Sequence, residues 1–375
     1  EGYWYAQDRW EYEGMVVNYG LRWDMFSPGS AAAIELTNED VDANVTKYKT
    51  AFQPRLGFAF PITERDGFHF HYGRFVQFPS REYLFASQDP VGNAGILGNP
   101  NLEPETTIQY SAGIKHQFSD YIAGQFSLYS KDIYDLIAAS QVTDESTGQT
   151  LARYINKAYA SARGIEVTLE KRYSDHYSFM FSYTYSFADG VASDTAFGSN
   201  PEGLAYLPNQ ELPLDWDQRH TANLLLLLAK PGVWSSSFSF SYGSGFPWTP
   251  FDRFAKRQDP MLENSERLPA TYDLTIQFER NINFYGKRLS LQLQGFNLLN
   301  QDVVNSFAPG GGGINPGPIN GARYAGMSHL TETGKYGAAL LQDANGDGED
   351  EFIPFYDPRT FGQHRLFRIG IGYYF

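Results

Sequence analysis

Asp343, Asn345 and Asp347 alternate along Asp343-Ala344-Asn345-Gly346-Asp347-Gly348, and Glu349, Asp350 and Glu351 follow at once. Oxygens at alternate positions can converge on a hard cation, and the glycine permits the sharp turn that a calcium loop needs. Such a loop takes a bidentate Glu at its twelfth position, where this chain has Pro354. The candidate Ca²⁺ ligands are therefore the side chains of Asp343, Asn345 and Asp347 and the carbonyl of Glu349, with Asp350 or Glu351 folding back to replace the missing Glu. The simpler reading is a solvated acidic loop tip. His69 and His71 stand two apart, a spacing that puts both rings on one face of a strand and could hold a metal at two points. Polar packing explains them as well. Glu166 and Glu170 share a face in the same way, but no nucleophile–base pair stands out anywhere, and the chain does not read as an enzyme. Gly310 to Gly313 lacks a following Lys-Ser/Thr, so the expectation is a loop and not a phosphate cradle.

The elements that must position these groups are strands. In the last stretch Phe367, Ile369, Ile371, Tyr373 and Phe375 share one parity, with Arg368, Gly370, Gly372 and Tyr374 on the other. Period 2 places the two sets on opposite faces of a β-strand. An apolar face toward lipid and a small, polar face toward a lumen is the pattern of an outer-membrane barrel strand. The same alternation recurs through the chain. Val17, Tyr19, Leu21, Trp23 and Met25 oppose Asn18, Gly20, Arg22 and Asp24; Phe68, Phe70 and Tyr72 oppose His69, His71 and Gly73; Leu289, Leu291 and Leu293 oppose Ser290, Gln292 and Gln294. Strands are joined alternately by short turns (13–14, 63–67, 119–120, 174–175, 230–232, 281–287) and long polar loops (27–50, 79–104, 188–216, 299–360). Soluble sandwiches have no reason to sort loop length by end, whereas outer-membrane barrels have short periplasmic turns and long extracellular loops. Trp10, Tyr12, Phe118, Tyr121, Tyr173, Tyr177, Trp234, Phe284 and Tyr285 gather near the short turns, as an interfacial girdle does.

Composition agrees. The 375 residues are 42% hydrophobic and 16% aromatic, with 36 Gly and no Cys, and no apolar run is long enough for a membrane helix. A formal charge of −14 argues against nucleic acid as a partner. Residues 188–218 carry six acids without a Lys or Arg, which disfavours highly anionic ligands at low salt. Thirteen strands can be counted. Their first and last members both run toward the short-turn end, so they cannot pair antiparallel; the expectation is a C-terminal part of a larger barrel over residues 1–375, an all-β, transmembrane, antiparallel up-and-down fold.

Five stretches carry a family resemblance: Asn99-Pro100-Asn101-Leu102-Glu103-Pro104-Glu105, Arg163-Gly164-Ile165-Glu166, Asp217-Gln218-Arg219-His220, Asn297-Leu298-Leu299-Asn300 and the terminal Phe375. Together, in this order and on strands of this parity, they resemble the TonB-dependent outer-membrane receptors. The resemblance implies the last thirteen strands of a barrel of about 22 strands, preceded by a plug domain and TonB box that lie outside this sequence. It implies energised uptake of a scarce ligand (siderophore, peptide or glycan) in the outer membrane of a Gram-negative bacterium. Ligand contacts are then expected in loops 79–104, 188–216 and 299–360, with TonB-ExbB-ExbD, lipopolysaccharide and a surface lipoprotein as partners. Loop lengths and aromatic style look closest to the Oar-like branch, which gives the alternative of a structural, adhesion or secretion-linked surface protein.

Overall fold

The computed structural model describes residues 1–28, 48–86, 96–143, 150–191, 210–248, 251–252, 257–258, 264–268, 270–301, 338–342, 351–355 and 365–374. Strands β1 (Gly2–Tyr12), β2 (Met15–Phe26), β3 (Lys49–Pro61) and β4 (Asp66–Gln77) are followed by a five-residue helix α1 (Arg81–Phe85). Next come β5 (Glu105–Gln117), β6 (Ile122–Thr143), β7 (Thr150–Ser174), β8 (Tyr177–Gly190), β9 (Leu212–Pro213), β10 (His220–Lys230) and β11 (Trp234–Gly243). Four two-residue strands follow: β12 (Pro247–Trp248), β13 (Phe251–Asp252), β14 (Arg257–Gln258) and β15 (Glu266–Arg267). Last are β16 (Thr271–Phe284), β17 (Lys287–Phe296), β18 (Ala338–Gln342), β19 (Glu351–Phe355) and β20 (Leu366–Tyr374). Thirteen of these form one sheet in the order β1-β2-β3-β4-β5-β6-β7-β8-β10-β11-β16-β17-β20, with β9 added on β8. Every register resolved in it is antiparallel. Thirteen strands and their up-and-down order match the count made from alternation.

Turn chemistry fixes the hairpins. Glu13-Gly14, Asp175-His176 and Tyr285-Gly286 all have positive φ at both positions, the backbone that a two-residue hairpin with right-handed twist requires. The last of these narrows the expected 281–287 turn to two residues, because Asn281 to Phe284 remain paired with Lys287 to Ser290. The sequence Leu224-Leu225-Leu226-Leu227-Leu228 has no parity of its own, so its neighbours decide. Leu224 pairs with Phe181 and Phe240, and Leu225 with Met180 and Ser239. Leu224, Leu226 and Leu228 therefore join the aromatic face, and Leu225 and Leu227 stand exposed on the serine face beside Met180.

The chain divides into two compact units. In the first (Glu1–His116, Phe126–Ile165 and Phe187–Leu214) a true hydrophobic cluster forms from Phe26, Leu84, Leu102, Ile137 and Tyr154, with Tyr83, Phe85 and Ile96 against it. In the second (Gln117–Gln125, Glu166–Ser186 and Asp215–Phe375) the strands carry lines of Phe, Tyr and Leu on one face and Ser, Gln and Thr on the other. Trp10, Tyr12, Phe118, Tyr121, Tyr173 and Tyr285 are exposed beside the short turns, as a girdle demands.

Three expectations of irregular loop are corrected. Residues 79–104 contain α1 and a parallel bridge from Leu97 to Arg153. The 188–216 stretch contains β9, and 299–360 contains the β18–β19 hairpin. Strands β6 and β7 also extend far beyond the alternating parts read at 122–128 and 164–170, to 22 and 25 residues. A membrane strand needs only about 9–11 residues, so the excess lies beyond the lipid, where strict alternation is not enforced.

Candidate ligand-binding mouth and inner wall

The Asn99-Pro100-Asn101-Leu102-Glu103 segment ends a strap that leaves β4 at Phe78 and returns into β5. Leu84 and Leu102, each 1% exposed, anchor it to Phe26, Ile137 and Tyr154. Its polar atoms are tied down as completely. Asn99 Nδ2 donates to the Tyr154 carbonyl at 2.9 Å, and Asn99 Oδ1 accepts from the Asn101 N–H at 3.0 Å. Asn156 Oδ1 accepts from the Glu103 N–H at 2.7 Å, and its amide donates to the Glu103 and Asp135 carbonyls. Lys49, buried, donates to the Leu102 carbonyl and lies 3.5 Å from Glu103. Gly98 permits the closest approach: a Cβ there would stand 2.5 Å from the Ala86 nitrogen. The motif is thus a set of caps for a strap, and Asp135, whose carbonyl takes the Asn156 amide, has a left-handed φ of 59° within β6.

Asp217-Gln218-Arg219-His220 makes a second clamp, in the other unit. The Asp217 side chain is fully buried; its Oδ2 takes Arg219 Nε at 2.7 Å and Arg267 Nη2. Arg267 Nη1 donates to the Asp217 carbonyl at 2.7 Å. Gln218 Nε2 donates to the Ser244 carbonyl, Ser186 Oγ to the Gln218 carbonyl, and the His220 N–H to Ser244 Oγ. Asn264 Nδ2 donates to Asp215 Oδ1 at 2.8 Å. The bases of two long connections, after β8 and after β11, are therefore held on one buried carboxylate. Asn297 and Asn300 have positive φ, which asparagine tolerates, and Asn297 closes on Gln301 through both its amide nitrogen and its oxygen.

On the inner, polar face Asp24 accepts from Arg22 Nε with both oxygens at 2.9 Å and from Gln53 Nε2, while Gln53 Oε1 accepts from the Val76 N–H. His69 and His71 do share this face, their rings 5.8 Å apart, with Ser127 Oγ 3.5 Å from His69 Nε2. Among the described residues no group of three or more His, Cys, Asp or Glu could hold a metal ion. Glu166 and Glu170 are exposed on the polar face of β7. Asp343, Asn345, Asp347, Glu349 and Asp350 lie outside the described residues; the strands flanking them are paired, Gln342 with Glu351. The terminal Phe375 and most of loops 188–216 and 299–360 also lie outside.

What the arrangement offers is a wall with one face for lipid, a polar interior, and loop bases that are held fixed. The model of the TonB-dependent receptor-like β-barrel matches residues 2–298. Among solved structures, the copper transporter OprC is similar over 99% of this chain and 46% of its own, at 16% identity and a TM-score of 0.55. A mutant form of the ferric enterobactin receptor PfeA of Pseudomonas aeruginosa is similar over 80% of this chain and 40% of its own, at 16% identity and 0.53. The outer membrane transporter YddB of Escherichia coli follows the same pattern, over 80% and 41%, at 12% identity and 0.56. The chain spans less than half the length of these structures. A comparison with curated protein sequences gives no match. With nearly four-fifths of its length covered by the family model, and with the strand order, the turn asymmetry and the aromatic girdle described above, this chain belongs to the TonB-dependent receptor-like β-barrel family of the Gram-negative outer membrane.

Proposed function

We propose that the protein takes up a scarce ligand across the outer membrane with energy drawn from TonB-ExbB-ExbD, this chain supplying barrel wall and ligand-binding mouth. The observation that carries the reading is the pairing of a polar, glycine-rich inner face with loop bases clamped by Asp217 and by the Asn99–Glu103 strap. A mouth fixed at its base can present loops in a defined geometry, which lowers the ordering cost of binding. Neighbouring structures include a copper transporter and a ferric enterobactin receptor, so a chelated metal is the first ligand class to test, before peptides and glycans. The N-terminal plug and TonB box would gate and energise passage, and lipopolysaccharide would surround the upper rim. At the 343–351 tip, the alternating Asp343, Asn345 and Asp347 would take Ca²⁺.

The test is a deletion strain grown with metal chelates, peptides or glycans as the limiting nutrient, in backgrounds with and without TonB. One nutrient should fail to support growth in the deletion and in the TonB-negative strain alike. A deletion that keeps every uptake phenotype but loses adhesion or surface assembly would replace transport by the Oar-like alternative.

A further inference from the structure

The inner wall of the first unit contains a depression of about 650 Å³ that belongs to neither clamp. Its floor is made by absent side chains. Register places Gly20 opposite Arg55, Arg55 opposite Gly73, and Gly57 opposite His71, so three glycines surround one arginine on adjacent strands. Gln7, Asn18 and Gln109 supply amide groups at its rim.

Charge distinguishes this place from the rest of the wall. Acids of this face in the same unit are engaged: Asp24 with Arg22, Glu11 with Arg9, Glu103 with Lys49, and Glu105 with the Ile137 N–H. Asp8, at the margin, accepts from the Tyr19 hydroxyl at 2.9 Å and the Arg9 N–H at 2.8 Å. Arg55 has no carboxylate within ion-pair distance among the described residues; its guanidinium lies over the Phe75 ring at 4.9 Å. A guanidinium stacked on one face keeps its N–H edges for a planar, bidentate acceptor. In a chain of net charge −14, an uncompensated arginine in a glycine-floored hollow is a place for an anion.

We propose that the depression is a carboxylate subsite, in which Arg55 takes both oxygens and the amides of Gln7, Asn18 and Gln109 complete the donor set. This rests on the inner face being the barrel lumen. The carboxylate belongs either to a small solute in the lumen or to a side chain of the domain seated there, and the experiment separates the two.

Full-length receptor in detergent micelles is titrated with 4-fluorobenzoate and followed by ¹⁹F NMR, with amide hydrogen exchange measured on the same samples. The variants are Arg55→Gln, which removes the charge, and Gly57→Val, which keeps Arg55 and fills the hollow. If a solute occupies the subsite, the wild type binds the probe saturably; Arg55→Gln binds it at least tenfold more weakly, the loss expected for a charge-assisted hydrogen bond, and Gly57→Val at least tenfold more weakly by steric exclusion. If the internal domain occupies it, the wild type does not bind the probe, and both variants accelerate exchange in that domain at least tenfold. Equal probe binding by the wild type and Arg55→Gln, or no binding with unchanged exchange, overturns the proposal. Probe binding needs no energy source, so it can fail while uptake stands, and the reverse.

Discussion

Replacing Asp217 by Ala should loosen the mouth without touching the wall. The carboxylate is wholly buried and serves two arginines, whose side chains are 21% and 32% exposed. Breaking a fully buried pair costs about 3–5 kcal/mol and an exposed one about 0–1 kcal/mol. Partners that reach water partly recover their hydration, so about 2–3 kcal/mol is expected here. At about 1.4 kcal/mol per decade, local opening becomes roughly 30- to 140-fold more frequent. Amide hydrogen exchange on the receptor in micelles reads this directly. The Leu268 N–H, bonded to the Phe246 carbonyl, should speed up by that factor, while Leu226 and Phe240 in the middle of the wall should not change. A change below threefold at Leu268 would mean that Asp217 does not hold the connection. A uniform acceleration through β10 and β11 would mean that it holds the wall itself.

Leu102→Ala should cost the strap about 2–5 kcal/mol, the range for emptying a buried leucine site, and Gly98→Val should free it by steric contact with Ala86; both should expose the Leu84–Phe85 bond to thermolysin, and an uncut strap would refute the anchoring. Asp66, at the foot of β4 in a short turn, has its carboxyl held below the ordinary 3.8, first by the Thr63 hydroxyl and then by His116. Its contribution to the turn is present above pH 3.8 and lost as pH falls through the lowered value; Thr63→Ala should move the carbonyl ¹³C titration midpoint upward, and an unmoved midpoint contradicts the assigned cause. Terbium luminescence should report a saturable site at residues 343–351 that disappears in Asp343→Asn/Asp347→Asn; no saturable signal identifies a solvated loop tip.

Alternation made the wall legible. Where lipid lies on one side, outward positions are mostly apolar, so Val17, Tyr19, Leu21, Trp23 and Met25 marked β2 from the sequence alone. It fails where lipid ends. The upper parts of β6 and β7 have no such constraint, and in β6 three consecutive residues, Ile137, Ala138 and Ala139, are buried. The strap was hidden for another reason: Phe26, Leu84, Leu102, Ile137 and Tyr154 are drawn from five separate segments, and no local period links them. The motifs themselves were visible as Asn99–Glu105 and Asp217–His220, but their work is done by partners as distant as Asn156 and Arg267. Uncompensated Arg55 could not be seen in the sequence, since which acid neutralises which base depends on register.

The strap also sets an order of events. Its polar caps join residues 53 and 55 apart in sequence, Glu103 with Asn156 and Asn99 with Tyr154, while each hairpin beneath it closes across a few residues. Short loops close before long ones. The hairpins β1–β2 and β3–β4 can therefore zip as soon as their turns form, whereas the strap must wait until β7 has been added. Until then Leu84 and Leu102 have Phe26 and Ile137 but lack Tyr154, and the site stays open on that side. Closure of the strap therefore requires β7 to be in place.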